Sequence, residues 1–377
     1  MYFDPTVKEK LEDFYNYTEE RKHLEALLAS GPPMIVIKGL RRTGKTSLMR
    51  VCYSSLKTPK AWIDGRQIFS GFKADQLLYE AFTNLLKELK MEEKIFARIS
   101  SLSFTSPYGE VGVSIGRPLP GSIAEEVNKE LENRKLKAVL FIDEAQIMKK
   151  EHLDRFLAYM YDNITNVKIV ISGSQTGVLE KFIGKHNAKA PLFGRVLTEI
   201  TMVPLSPEKS ADFLMKGFEA AGKKIKHEDI EDAVKEFDGL MGWLTYYGYY
   251  RLSDTHESAK AKVFEWASEI VKSEIASFLS ERRGKKERYL ILLKILSEEP
   301  KSWEELSTAM SIKTGKRVSD SRMQGYITTM EDYSFISKQG GRYVIPDPVV
   351  GKVVRKLSFG SISAKIPTSG KPKGKRK

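Results

Sequence analysis

Apolar and polar positions along the chain fall into two regimes. Between residues 34 and 203, short apolar runs alternate with amphipathic stretches. Met34–Lys38, Ala61–Asp64, Ala138–Ile142, Val167–Ser172 and Leu197–Val203 have the length and continuity of buried strands. The stretches from Lys45 to about Leu56, from Ala74 to Leu89 and from Ser122 to Arg134 have helical periodicity. Strands alternating with helices predict a parallel sheet covered on both faces. Ahead of the first strand, Asn16 and Glu19 have capping-box spacing and open a helix through Leu24, Leu27 and Leu28, which Gly31-Pro32-Pro33 ends. Leu102–Phe104 and Val111–Ile115 flank Pro107-Tyr108-Gly109 and predict a hairpin.

From Pro207 the second regime begins, with helices and no strands to about Ser280. Arg282–Lys286 is a charged hinge candidate. After it, Glu287–Leu296 is apolar at Leu290, Leu293 and Ile295 or Leu296, and Ser302 with Glu305 starts a second helix through Met310. A third helix, Ser319–Glu331, turns Met323, Ile327 and Met330 inward. Phe335–Lys338 and Arg342–Ile345 then flank Gln339-Gly340-Gly341, and a Gly-Gly pair favours a tight hairpin. Three helices and a hairpin predict a winged helix-turn-helix. The chain is therefore read as a core over 1–205, a helical lid over 206–281, a winged helix over 282–358 and a tail over 359–377.

Composition narrows the class. A length of 377 residues suits two or three domains. The apolar runs are strand-length, far below the ~18 residues a spanning helix needs, and the start of the chain is charged rather than signal-like. A single cysteine excludes an internal disulfide and a cysteine-based zinc site. These features predict a cytoplasmic protein with no membrane segment. The net charge is +13, and the tail from Lys365 holds six cations and no acid. A basic balance favours polyanions through counterion release, though a solvated tail explains part of it equally well.

The candidate chemistry begins at Gly39-Leu40-Arg41-Arg42-Thr43-Gly44-Lys45-Thr46, which fits G-x-x-x-x-G-K-[ST] between a strand and a helix. Gly39 and Gly44 let the backbone turn so that its N–H groups converge on phosphates, and the helix N-terminus adds a favourable dipole. Lys45 supplies a cation for the β- and γ-phosphates, Thr46 a hydroxyl for Mg²⁺, and Ser47 lies beside it. Arg41 and Arg42 face solvent, a partner or the nucleotide.

A second signal is the buried run Ala138–Ile142 delivering Asp143 and Glu144 at its C-terminal end, where ligands of such sheets bind. Asp143 is placed to hold Mg²⁺ and Glu144 to take a proton from the attacking water. The second acid separates a hydrolytic ATPase from a small-molecule kinase. The stretch between the two motifs leaves room for an extra strand, for which Ala61–Asp64 is the candidate. The fold class is thus α/β, an additional-strand P-loop NTPase core followed by an all-α lid and a winged helix-turn-helix. Ser174, at the end of the Ile169–Ser172 run, is read as a contact to the attacking water or γ-phosphate, or as a helix cap. Arg195 is read as an arginine finger acting within its own chain or on a neighbour, or as a surface arginine.

Gly39–Ser47, Phe141–Gln146, Ser172–Ser174 and Leu192–Arg195 together resemble the archaeal ATPase family, within the signal-transduction ATPases with numerous domains and related to AAA+ proteins. Trp62–Arg66 resembles that family's second strand. The resemblance runs from about Phe14 to Leu357. It implies a P-loop core, a helical lid and a C-terminal winged helix, with ATP and Mg²⁺ as cofactors. Two features depart from the family: near Phe14-Tyr15-Asn16, where members often carry an arginine and acids, this chain has Tyr17 and Thr18, and Met241 stands where the lid's Gly-Gly-x-Pro turn has proline.

These observations predict an ATP-binding and hydrolysing switch whose nucleotide state controls a module that engages DNA or a protein. Arg322, Gln324 or Tyr326 on the third helix would face a major groove, while Lys338, Arg342, Lys313, Lys316 and Arg317 would meet phosphates, joined by the basic tail. Asp320, Glu331 and Asp332 oppose that reading. Two alternatives are a DNA-binding regulator that holds ATP without hydrolysing it, and a ring-forming ATPase resembling replication initiators. The chain is accordingly a monomer or a nucleotide-dependent oligomer.

Overall fold

The computed structural model describes residues 2–91, 120–185 and 187–357. The hairpin expected around Pro107 and the basic tail lie outside these residues. The chain divides into two compact units, one from Thr6 to Pro204 with Tyr2, the other from Leu205 onward with Phe3–Pro5.

Among the described residues, the first unit is built on five parallel strands: β1 (Met34–Gly39), β2 (Lys60–Asp64), β3 (Ala138–Asp143), β4 (Val167–Gly173) and β5 (Leu197–Met202). Their order across the sheet is β2-β3-β4-β1-β5. β4 therefore separates the strand that ends in Gly39 from the strand that ends in Asp143. The segment Ala61–Asp64, the candidate for the extra strand between the two motifs, is a strand, β2, and lies at the sheet's edge. Burial follows position: β3 is buried at every residue, whereas edge strand β2 alternates between buried and half-buried. A central strand covered on both faces has no solvated side, which is why Ala138–Ile142 is continuously apolar.

Side-chain alternation sorts the covering helices. Met34, Val36, Ala61, Ile63, Leu140 and Ile142 share a core with Leu77, Phe82 and Leu85 of α3 (Ala74–Glu88) and with Ile123, Val127 and Leu131 of α4 (Pro120–Asn133). Leu153 and Leu157 of α5 (Leu153–Asn163) complete it. α1 (Thr18–Ser30) and α2 (Lys45–Ser55) pack on one another, with α2 against β1 and β3. The short α6 (Thr176–Phe182) follows β4.

The start of α1 differs from the capping-box expectation. Asn16 and Tyr17 both take left-handed backbone angles, with φ of 60° and 50°. Tyr17 is the N-cap and makes no side-chain cap; its buried hydroxyl donates to Val203 O at 2.8 Å. A tertiary anchor sets this helix start in place of the local Asn–Glu pair.

The second unit opens with α7 (Pro207–Ala220), α8 (His227–Phe237), α9 (Met241–Arg251) and α10 (His256–Ser280). Ser206 caps α7 with Pro207 in its first turn, and Thr255 caps α10. Phe3 is buried against Phe213 and Phe218, and a Cβ at Gly217 or Gly248 would lie 2.2 Å from its ring. Asp232, His256 and Glu257 approach one another closely enough to suit a metal, yet the Lys260 ammonium already bridges Asp232 at 2.6 Å and Glu257 at 2.8 Å.

α11 (Lys286–Glu298), α12 (Trp303–Thr314) and α13 (Asp320–Asp332) are followed by the antiparallel pair β6 (Ser337–Gln339) and β7 (Arg342–Val344). A bridge from Lys301 to Tyr343 extends the small sheet. Ser302 and Glu305 form the capping box at α12, and Gly340 and Gly341 turn the hairpin with φ of 54° and 81°. Met323, Ile327 and Met330 are buried as expected. A final helix, α14 (Pro348–Lys356), was not evident from the pattern. It packs on α8, α10 and α11, and Asp347 at its N-cap accepts a hydrogen bond from the Trp243 indole at 3.0 Å. The hinge candidate Arg282–Lys286 carries a short 3₁₀ turn within this unit, which is continuous across it. No helix among the described residues is long and apolar enough to cross a membrane.

Candidate active site

The site forms where β1, β3 and β4 end. Gly39 closes β1 with φ of 152°, and a Cβ there would lie 2.2 Å from Met202 O on β5, so only glycine lets the two strand ends meet this closely. Arg42 and Gly44 also have positive φ, 67° and 98°, which curls the loop into the start of α2. A curled backbone at a helix N-terminus is a concave array of N–H groups suited to phosphate.

Lys45 is buried, at 5% exposure, and its ammonium donates to Gly39 O at 2.9 Å and Leu40 O at 2.6 Å. Burial pulls its pKa down to about 8 against the opposing fields of Glu144 and Asp143, with Arg41 and Arg42 adding to the depression. Thr43 is fully buried and its hydroxyl donates to Leu40 O at 2.9 Å, which stiffens the loop. Ser47, singled out as the neighbour of Thr46, accepts the Lys8 backbone N–H at 3.1 Å. Arg41 and Arg42 are half-buried on the loop.

Asp143 and Thr46 meet directly, the hydroxyl donating to Asp143 Oδ2 at 2.8 Å. Two hard oxygen donors facing one another at the phosphate loop fit Mg²⁺, which keeps waters and takes a few protein oxygens. When bound, Mg²⁺ would neutralise charge on the phosphate oxygens. Asp143 has no exposed surface. Burial raises its pKa, aided by Glu144, while hydrogen bonds from Ser172 and Thr46 and the nearby Arg66 act in the opposite direction. The Glu144 N–H also donates to Asp143 Oδ1 at 3.1 Å.

Glu144 sits in a left-handed turn, φ 51°, directly after β3. Its Oε2 accepts the Gln146 amide at 2.6 Å and the Ser174 hydroxyl at 3.0 Å. Ser174 is thus brought to the carboxylate of the candidate base; it makes no cap on α6, whose N-cap is Gln175.

Three groups in the site were not singled out by role. Ser172 closes the buried run of β4 and bonds Asp143, a polar residue ending an apolar strand being the available signal. Gln146 follows Glu144 by two residues. Arg66 pairs with Asp64, with Nη2 at 2.8 Å from Oδ2, and the same nitrogen lies 3.6 Å from Asp143 Oδ2. Asp64 and Asp143 are register partners on β2 and β3, which places the arginine beside the acid pair.

Arg195 is not brought to this site. It precedes β5, whose Leu197 pairs with Met34 at the start of β1, while Gly39 pairs with Met202. The phosphate loop therefore begins a whole strand away, roughly 20 Å at the usual rise per residue. Its guanidinium is held by Asp162, with Nε to Oδ1 at 3.0 Å, and by Pro191 O. An arginine cannot span that distance, so a contact with its own phosphate loop is ruled out by the sheet.

On the winged helix, Arg322, Gln324 and Lys338 are exposed. Tyr326, expected outward, is 9% exposed and packs edge-on against Tyr289 because it lies on the core side of α13 with Met323 and Ile327. Arg342 is exposed but forks onto Glu305, with Nη1 at 2.8 Å from Oε2, and donates to Pro300 O at 3.0 Å. That pairing competes with a role at phosphates.

Comparison with solved structures places this arrangement among known folds. The Walker-type ATPase PABY2304 of Pyrococcus abyssi is 25% identical with a TM-score of 0.76, over 94% of this chain and all of that one. The Aeropyrum pernix ORC2 protein, solved with ADPNP and ADP, is 15% identical with a TM-score of 0.60, over 96% of this chain and 97% of that one, and shares the fold. No curated protein matches the sequence. Residues 283–345 match the C-terminal winged helix-turn-helix domain of MCM proteins. Residues 14–246 match the ATPase domain found predominantly in Archaea, and the chain belongs to that family.

Proposed function

We propose that the chain is an ATP-driven switch that binds Mg²⁺·ATP at Gly39–Ser47, hydrolyses it with Glu144 as general base, and uses the cycle to control how its winged helix engages duplex DNA. The observation that supports hydrolysis best is the convergence of Lys45, Thr46, Asp143 and Glu144 at one end of the sheet, with the Glu144 carboxylate oriented by two side-chain donors. Lys45 and the loop N–H groups bind and orient the phosphates, Thr46 and Asp143 hold the metal, and Glu144 takes the proton of the attacking water. The modules over 206–281 and 282–358 are proposed to respond as one body, since Trp243 and Asp347 are joined across them. DNA contact is proposed through Arg322, Gln324 and Lys338 with Lys313, Lys316 and Arg317, Arg342 being engaged by Glu305.

The test is steady-state hydrolysis of Mg²⁺·ATP by wild type and Glu144→Gln, with and without duplex DNA at low salt. Turnover abolished by the substitution and stimulated by DNA supports the reading. Wild-type protein that binds ATP without turnover supports the ATP-liganded regulator in its place, and unchanged anisotropy of labelled duplex removes the DNA partner in favour of a protein.

One observation favours an oligomeric variant of this reading. Arg195 lies at the end of the sheet opposite its own phosphate loop, and its neighbours Phe193 and Val196 are 46% and 68% exposed. An arginine finger at that position would act on a neighbouring subunit. Mixing Arg195→Ala with Lys45→Ala protein then restores activity in mixed assemblies, and no restoration argues for a monomer.

A further inference from the structure

We infer that Gln146 is a positioning residue for hydrolysis: it fixes the Glu144 carboxylate so that one oxygen is held and the other is left to the attacking water. The inference deepens the hydrolytic reading and rests on it. Gln146 is 4% exposed, and its amide Nε2 donates to Glu144 Oε2 at 2.6 Å. The Ser174 hydroxyl and backbone N–H converge on the same oxygen, at 3.0 and 3.4 Å. Among the described residues, no hydrogen bond reaches Glu144 Oε1. The carboxylate is asymmetric, with one oxygen saturated by donors and the other carrying the basic lone pairs.

The other end of the amide shows what this orientation costs. Among the described residues, Gln146 Oε1 is buried with no hydrogen-bond partner. A buried, unsatisfied acceptor is unfavourable and uncommon in folded proteins. Rotating the amide would not remove the difficulty, because it would set Oε1 against an ionised carboxylate oxygen. The amide therefore keeps the orientation that serves Glu144 at the expense of its own oxygen. Gly173 makes that placement possible: a Cβ at this position would lie 2.3 Å from Gln146 Oε1. The last residue of β4 is thus matched to the amide that orients the base just after β3, and Ser174, its neighbour, supplies the second clamp.

Gln146→Met keeps the length of the side chain and removes the donor. Gly173→Ala leaves Gln146 in the sequence and displaces its amide. Both are expected to lower kcat at least ten-fold while changing ADPNP affinity, measured by calorimetry, less than two-fold. Gln146→Asn, a shorter amide, should recover less than half of the lost kcat. Turnover that Glu144→Gln abolishes but Gln146→Met and Gly173→Ala leave unchanged overturns the inference alone. A fall in kcat matched by equal losses of ADPNP affinity and thermal midpoint also overturns it and leaves a packing role. A wild type without turnover overturns the hydrolytic reading and this inference together.

Discussion

Two buried aspartates, one in each compact unit, solve the same problem in opposite ways. Asp143 has no exposed surface and Asp347 is 9% exposed, so both carboxylates must be satisfied by donors. Asp347 receives the Trp243 indole N–H at 3.0 Å and the Val349 and Val350 backbone N–H groups at 3.0 and 3.2 Å. These donors have no lone pair to offer and no alternative state, so the contact holds. Asp143 also takes one backbone N–H, from Glu144 at 3.1 Å, but its side-chain donors are the hydroxyls of Thr46 and Ser172, beside a half-exposed arginine at 3.6 Å. A hydroxyl that donates to a carboxylate can turn its lone pairs to a cation, and an exposed arginine can move aside. The difference in donors separates a position built to hold from one built to exchange.

Substitutions break this comparison in order of size. Glu144→Gln, next to the exchanging aspartate, is expected to lower kcat by about 10²–10⁴-fold with ATP affinity retained, the usual range for removal of a general acid or base. Asp143→Asn is expected to abolish the Mg²⁺ dependence of ATP binding measured by calorimetry without lowering the thermal midpoint. The sign follows from burial: a carboxyl held above its ordinary range is destabilising when ionised, and the amide removes that charge. Asp347→Ala should do the reverse. It removes a helix cap and strands a buried indole N–H, together about 2–4 kcal/mol in denaturant unfolding, with the nucleotide site untouched.

The pH dependence of binding sharpens the same contrast. Burial brings Lys45 down to about 8 in the free protein, and bound phosphates would raise it. Binding ATP therefore takes up a proton, and affinity should fall as pH rises through about 8 toward the bound-state value. Calorimetry in buffers of different ionisation enthalpy measures the uptake directly; enthalpies independent of buffer at pH 8.5, or on the order of that value, would contradict it. The smallest effect is on the winged helix. Arg322→Ala should reduce the slope of log affinity for duplex against log salt by about 1, whereas Arg342→Ala should change it little because Glu305 already holds that guanidinium.

Much of the site was legible because its signals are short. The phosphate loop needs eight consecutive residues and a strand and helix on either side, and the acids need only a buried strand that ends at them. The fold class was legible for a related reason: strands covered on both faces must be continuously apolar, and Ala138–Ile142 and Ile169–Ile171 are. The misreadings share a different cause. The capping-box spacing of Asn16 and Glu19 is a local signal that yielded to a distant one, the Tyr17 hydroxyl bonded to Val203 O. Tyr326 was assigned outward from an incomplete helical face, and packing against Tyr289 reversed it. The winged-helix pattern ended at Ile345, although Asp347-Pro348 is a good helix start, with an N-cap aspartate and a proline in the first turn.

The sequence by itself determined which residues form the glycine-bearing loop between β1 and α2, its threonine and the acid pair after β3, and that strands alternate with helices before helices take over. Each of these depends on neighbours a few positions away, where backbone geometry and burial leave a periodic or fixed-spacing mark. Only the tertiary structure decided that β4 lies between β1 and β3, that Arg195 stands a strand length from its own loop, that Ser174 and Gln146 share one oxygen of Glu144, and that Trp243 is tied to Asp347. These relations join residues brought together by sheet order and packing, and no local period records which distant segment a strand or a side chain will meet.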